Sequence, residues 1–371
     1  MTYGLRTVDS ICTIFDRLRK PISKSNRKAG IYPYYGASCI QDYVADYLFD
    51  GRYLLIGEDG AKWESGDETA YIVEGKFWVN NHAHILKVNE DIVDSYVKYY
   101  FTFLDLTEYV TGAIIPKLTQ ETLRNITIPI PSFSEQQRIV DVLDKEFAKI
   151  DELKSNAEQN LQNAKDLFQA ALNTGLTEGA TLPVSMNDLC EITSSLVDPC
   201  ESQYQNLLHV GGGNIESDTG VLFDLKTAKE EKLVSGKFLF DNSMVLYNKI
   251  RPYLKKVARP DFCGLCSADM YPLKPKSTCN KDYLYYLLLS KQFTDYAIMG
   301  SARAGMPKVN RDHLFAFTCK VPKFEQQVKI ATTLDDLNAK CKVFQDNYTK
   351  TISLCDDLKQ SLLRKAFNGE L

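Results

Sequence analysis

Residues 134–173, SEQQRIVDVLDKEFAKIDELKSNAEQNLQNAKDLFQAALN, contain neither proline nor glycine. Positions spaced by seven run Leu143, Ile150, Ala157, Ala164 and Ala171, and a second series runs Ile139, Glu146, Leu153, Asn160 and Leu167. Two interleaved seven-residue series, one wholly apolar, make the seam of a coiled coil. At 1.5 Å per residue such a helix is a rod of about 60 Å, longer than most domains. Pro131 interrupts the chain ahead of it, Ser134 suits an N-cap, and Gly175 marks its end.

Working outward, the residues leading into the rod recur. IIPKLTQETLRNITIPIPSF (114–133) aligns without a gap with GMPKVNRDHLFAFTCKVPKF (305–324), an offset of 191. The register continues into a second rod, with series Leu334, Cys341, Tyr348, Cys355, Leu362 and Ile330, Leu337, Phe344, Thr351, Leu358. Small residues in one rod and bulkier ones in the other suit two helices packing on each other. Leu143, Ile150, Leu153, Leu334, Leu337, Phe344 and Leu358 are the expected seam or subunit-contact residues. Near the starts of the halves the offset is 178: Val8, Ile11, Cys12 and Ile14 match Met186, Leu189, Cys190 and Ile192. The difference implies an insertion in the second half. One unit is therefore used twice, giving domains at 1–131 and 182–322 and rods at 132–175 and 323–371.

The domains are mixed. Segments 52–61, 69–75, 84–88, 238–248, 269–275 and 315–321 read as strands, and 95–106 and 281–297 as helices. The fold class is α+β: two similar domains, each followed by a long helix. Two units related by a pseudo-two-fold would run their rods antiparallel. The linker 174–183 precedes the second domain.

Composition is that of a globular chain, 44% hydrophobic and 25% charged over 371 residues. No apolar run reaches the ~20 residues of a membrane helix, and the N-terminus has no signal-peptide pattern, so a cytoplasmic address is expected. Ten cysteines are too sparse for a disulfide scaffold. No P-loop is present, nor the Asn/Asp-Pro-Pro-aromatic tetrapeptide of an amino-methyltransferase. HVGGGN (209–214) reads as a turn. Cys263 and Cys266 lack the further ligands zinc needs. The four histidines, His82, His84, His209 and His313, accompany no carboxylate-rich motif. No catalytic or metal-binding residue is expected.

A net charge of −4 excludes a uniformly basic coat. Local clusters exist at 17–28 and 249–259, each close to aromatic residues, a combination that suits phosphates and bases. Lys117 and Lys308 are equivalent, each beside an equivalent proline (Pro116, Pro307). Expected DNA contacts are Lys117, Thr111 and Gly112 in the first domain, and Lys249, Arg251, Arg303 and Lys308 in the second.

The segments IPIPSFSEQQRIVDVLDKEFAKIDEL (128–153), KVPKFEQQVKIATTLDDLNAK (320–340) and LKQSLLRKAFNGEL (358–371) resemble the conserved regions of the specificity subunit of type I restriction–modification systems. KPISKSNRKAGIYPYYGAS (20–38), YLLIGEDGA (53–61) and GAIIPKLTQETLRNITIPIP (112–131) resemble its first target recognition domain, and MVLYNKIRPYLKK (244–256) and SARAGMPKVNRDHL (301–314) its second. The resemblance spans essentially the whole chain. It implies a non-catalytic subunit whose domains each read half of a bipartite site in double-stranded DNA, with the rods fixing the spacing. It further implies two methyltransferase subunits and two restriction/translocase subunits as partners. S-adenosylmethionine, ATP and Mg would belong to those partners, within an adenine-specific methyltransferase and ATP-dependent deoxyribonuclease. The competing expectation is a coiled-coil adaptor without sequence-specific DNA binding.

Overall fold

The structure is a computed structural model. It describes residues 3–112, 114–180, 182–301 and 307–371, without the side chain of Leu182. The chain forms two compact units, Met1–Gln159 with Tyr348–Leu371, and Asn160–Asn347. Each long helix, Phe133–Gly175 and Phe324–Phe367, contributes to both.

The first unit is built on a six-stranded sheet in the order Cys12–Ile14, Ala83–Val88, Phe49–Gly57, Ala70–Val79, Ala29–Tyr35, Ile40–Val44. Side chains alternate along a strand, so Phe49–Gly57 serves two cores. Leu54 and Ile56 join helix Asp94–Phe103 through Tyr96, Val97 and Phe101. Leu55 faces the opposite layer of Phe49, Val73, Phe77 and Ile85, where Phe49 and Phe77 stack at 5.5 Å.

In the second unit, strands Cys190–Glu191, Met270–Pro275, Val245–Asn248 and Val257–Ala258 form one sheet, and Leu196–Val197, Lys237–Phe240, Gly264–Cys266, Leu208–Val210 and Lys226–Thr227 another. Three sequence readings change here. The stretch 238–248 is two strands in different sheets, because Asp241 accepts from the Ser243 N–H at 2.8 Å and turns the chain. The helix expected over 281–297 breaks at Ser290, whose hydroxyl accepts from the Phe293 N–H and donates to the Leu287 carbonyl. Segment 315–321 starts inside helix Arg311–Ala316, capped by Asn310, and only Thr318–Val321 is strand. The turn read at 209–214 is a strand end followed by one 3-10 turn, Gly212–Asn214. Cys266 is buried but Cys263 is exposed.

Both repeat offsets reappear as strand register. Gly4–Thr7 pairs with Thr127–Ile130 as Leu182–Ser185 pairs with Thr318–Val321, Thr7↔Thr127 answering Ser185↔Thr318. The Val8 N–H donates to the Ile126 carbonyl as Met186 does to Phe317. These pairs carry 178 on the first strand and 191 on the second. The offset is already 191 at residue 58, since the Leu118 N–H donates to Glu58 as Val309 does to Lys249. The net insertion thus falls between Cys190 and Lys249.

The rods attach through a repeated clamp. Gln136 is buried; its amide donates to the Pro131 carbonyl at 3.0 Å and accepts from the Val93 N–H at 2.9 Å. Gln327, its equivalent, donates to Pro322 and Thr278 and accepts from the Asn280 N–H at 2.8 Å. Eight residues on, Asp144 accepts from the Tyr99 hydroxyl and Asp335 from Tyr286.

Within the first unit the rods run antiparallel, because Lys154 bonds Asp356 at 2.7 Å while Asp151, one turn earlier, meets Lys359 one turn later. Leu143, Ile150, Ala157, Ala164, Leu334, Cys341 and Cys355 are buried as the seven-residue series requires. The second series is buried at its first positions, Ile139 and Ile330, and is corrected beyond them. Leu153 and Leu167 are 52% and 54% exposed, Phe344 and Leu358 about half exposed, and Leu337 is only half-buried. The inward positions lie four after the first series instead: Phe147, Lys154, Leu161 and Phe168, and Gln345, Ile352, Lys359 and Ala366. Lys154 and Lys359 lay their stems on the seam and turn their ammonium groups out to Asp356 and Asp151, which is why polar letters hid the true stripe. The first rod also begins at Phe133, with the Ser132 hydroxyl accepting from the Glu135 N–H, rather than at a Ser134 cap.

Candidate nucleic-acid interface

The repeated Pro–Lys pair sits on an edge of each domain. In the first, the Lys117 N–H donates to the Thr111 carbonyl at 2.8 Å and the Thr111 N–H to the Lys117 carbonyl at 2.9 Å, closing a hairpin. Lys117 also bridges Asp59. Gly112 has φ +104°, and a Cβ there would lie 2.7 Å from the Ile115 carbonyl oxygen, so the turn admits only glycine. Thr111 and Gly112 are exposed, Lys117 is partly so, and Ile114 is 94% exposed.

In the second domain, Lys308 bridges Ile250, the Arg251 N–H donates to the Pro307 carbonyl at 2.9 Å, and the Val309 N–H to the Lys249 carbonyl at 2.9 Å. Lys249, Arg251 and Lys308 therefore share one edge. Arg251 (φ +52°) and Lys255 (φ +45°) bracket the turn Pro252–Leu254 in the left-handed region, where a side chain costs about 1 kcal/mol or more. Arg303 lies outside the described residues.

The two edges rest on equivalent supports of different chemistry. His84 is fully buried, and its Nε2 donates to the Leu118 carbonyl at 2.8 Å. Tyr271, at the same ladder position (Ile56↔His84, Tyr247↔Tyr271), donates its hydroxyl to the Val309 carbonyl at 3.1 Å. Glu58 and Lys249 stand at one position with opposite charge.

Around Lys117 the charges are densely paired. Its ammonium lies 2.7 Å from Glu58 Oε1, and Arg19 reaches the same carboxylate and lies 3.4 Å from Asp16. His84 Nδ1 meets Asp16 at 2.6 Å. Burial works against the charge on Asp16, but hydrogen bonds from His84 and Ile85 and the charges of His84 and Arg19 hold its carboxyl below the usual range. Asp16, Glu58 and His84 lie within 4.8 Å of one another, a donor set that could hold a cation. Here Arg19 and Lys117 fill Glu58, and Asp16 and the Leu118 carbonyl fill the ring, so the cluster works as an ion-pair core under the hairpin.

Around Lys308 pairing is loose. It is half exposed, 3.8 Å from Asp269. Lys249, 9% exposed, lies 3.6 Å from the same carboxylate, donates to the Ala268 carbonyl and sits 5.2 Å from the Tyr271 ring. Burial and then the charge of Lys308 push the Lys249 ammonium below its ordinary pKa.

Within the clusters 17–28 and 249–259 some of the cations are held by the fold. Arg27 pairs with Asp42 and lies over Tyr34, and Arg259 holds Asp282 and Asp335, so those guanidinium groups are structural. Arg17, Lys20, Lys24 and Lys28 stay exposed. Glu58, Asp16, Asp269 and Tyr271 were not singled out by sequence, and His84, read there as having no carboxylate company, meets Asp16 and Glu58 in the fold. Carrying the 191 offset back from Lys117/Lys308 would have found Glu58/Lys249, but His84/Tyr271 stand 187 apart.

A family model described as the type I restriction modification DNA specificity domain matches residues 2–163 and again 183–350. The chain belongs to that family. Its two matches bracket the two Pro–Lys edges. The chain is 28% identical to the type I restriction enzyme EcoDI specificity subunit of Escherichia coli, over 92% of this chain and 83% of the relative. It is 38% identical to a putative type I restriction enzyme specificity subunit of Haemophilus influenzae, over 38% of this chain and 36% of that one. Among solved structures, a chain from work on complex assembly and conformational transition of the type I R-M system superposes with TM-score 0.72 at 15% identity, covering 100% of this chain and 98% of the other. The HsdS subunit of Thermoanaerobacter tengcongensis gives 0.55 at 15%, covering 100% and 97%. The fold of this specificity family is thus the fold described above. Among the described residues no helix is long and apolar enough to cross a membrane.

Proposed function

We propose that this chain is the specificity subunit of a type I restriction–modification complex and reads a bipartite site in double-stranded DNA, one half per domain. The observation that carries this reading is the duplicated edge: a lysine with a half-exposed side chain beside a proline, in the same backbone register, in two domains of a DNA-specificity family. Lys117, Thr111, Gly112, Arg251 and Lys308 are the proposed contacts with the duplex, Lys249 stands buried behind Lys308, and Arg303 is a further proposed contact outside the described residues. Phosphate contacts set register there and loop side chains read base edges. The chain itself is non-catalytic.

Two methyltransferase subunits dock on the rods, whose outward Leu153, Phe344 and Leu358 offer apolar surface, and two restriction/translocase subunits complete the assembly in the cytoplasm. S-adenosylmethionine, ATP and Mg bind those partners. The target adenine leaves the stack for methylation while this chain holds the duplex.

The test is to map methylated adenines in a methylation-free host expressing the chain with its methyltransferase. Methylation confined to one two-part motif is expected. Unmethylated DNA despite an assembled complex would favour the adaptor reading.

A further inference from the structure

The two edges share a backbone and differ in charge. At one equivalent position the first domain has Glu58 and the second has Lys249. The consequence for the neighbouring lysine is direct. Lys117 is bound at 2.7 Å by a carboxylate whose side chain is 9% exposed and which Arg19 also fixes. Lys308 shares its only ion-pair partner among the described residues, Asp269, with Lys249, at 3.8 Å and 3.6 Å. That carboxylate is 58% exposed, so water screens it and it turns freely. A buried, doubly held acid keeps its cation; an exposed, shared one releases it to a competing anion.

We propose that the two domains hold DNA unequally: Lys308, backed by Lys249, binds a backbone phosphate, whereas Glu58 is an internal substitute for that phosphate and occupies Lys117. Glu58 is then a residue that sets how much of the first half-site's affinity comes from charge. The second half-site is gripped through its backbone. The first depends more on what its hairpin leaves exposed, the apolar tip at Ile114 and Ile115 and the Thr111 side chain. This rests on the DNA-reading function proposed above.

The experiment measures binding of the full chain, assembled with its methyltransferase, to a duplex carrying the mapped site and to a random duplex, between 50 and 200 mM salt. Each phosphate contact contributes about 0.9 to the slope of log K against log salt, roughly a three- to four-fold change in affinity across that range. Lys308→Ala should flatten the slope by about one unit. Lys117→Ala should flatten it by well under half of that. Glu58→Gln should steepen it by about one unit, and the double variant Glu58→Gln/Lys117→Ala should return it towards the wild-type value. Equal flattening by Lys117→Ala and Lys308→Ala overturns the inference, and does so even if Glu58→Gln fails to fold. A wild-type complex that binds neither duplex better than the other overturns the DNA-reading function, and this inference with it.

Discussion

Gln136 and Gln327 show how one side chain turns a sequence motif into a joint. Each amide satisfies a carbonyl before its rod and an N–H at the start of the domain helix region, and each is 1% exposed. A buried group stripped of its partner costs about 1–3 kcal/mol. Gln136→Ala leaves the Val93 N–H and the Pro131 carbonyl without that partner. It should destabilise its unit by about 2–4 kcal/mol, lowering Tm by roughly 5–10 °C. Gln327→Ala should do the same to the second unit. Thermal melts followed by circular dichroism check this, and unchanged melting of both variants would remove the clamp from the account. His84 and Tyr271 teach the complementary point. Different chemistry serves one backbone carbonyl, so likeness of letters is not needed for likeness of role.

The rods carry two apolar stripes at heptad spacing, and only one is the seam. Either a residue three after Leu143 or one four after it completes a heptad pattern. Packing selects the second, and the stripe through Leu153 and Leu167 stays outside. The energies follow. Leu153→Ala should change stability by no more than about 0.5 kcal/mol, as exposed positions do. Ala157→Leu, at a site 4% exposed, should cost about 1–3 kcal/mol through overpacking. Urea titrations of both variants decide between the stripes, and a larger loss for Leu153→Ala would restore the other register. The same Leu153→Ala should weaken capture of the methyltransferase if the outward stripe is its dock.

At the scale of the molecule, each unit closes its own core. The first joins Val8, Leu54, Tyr96, Leu143 and Phe367, and the second joins Met186, Tyr247, Tyr286, Phe168 and Leu334. Specificity should therefore move with a whole unit. Exchanging 160–347 for the matching region of a relative should change one half of the methylated motif and leave the other intact. Exchanging only 182–322 would leave Phe168, Leu172, Ile330 and Leu334 facing a foreign core and should lower expression. Methylome sequencing of both chimaeras reads this. A 160–347 chimaera with both halves altered would show that the domains do not read separately.

The duplication, the rods and the Pro–Lys pair were legible in the sequence, because an ungapped repeat and a proline-free heptad run are local patterns that survive without a fold. The offsets 178 and 191 even anticipated strand register, since each marks a continuous stretch of backbone. Tertiary structure alone decided which stripe of the rods is buried, because two heptad phases are equally periodic and only packing against a partner tells them apart. It alone placed Glu58 under Lys117 and Asp269 beside Lys308, because those contacts join residues 59 and 39 positions apart across strands that sequence periodicity does not order. It also assigned Arg27 and Arg259 to structure rather than to DNA, because whether a guanidinium is free depends on carboxylates that only the fold brings near.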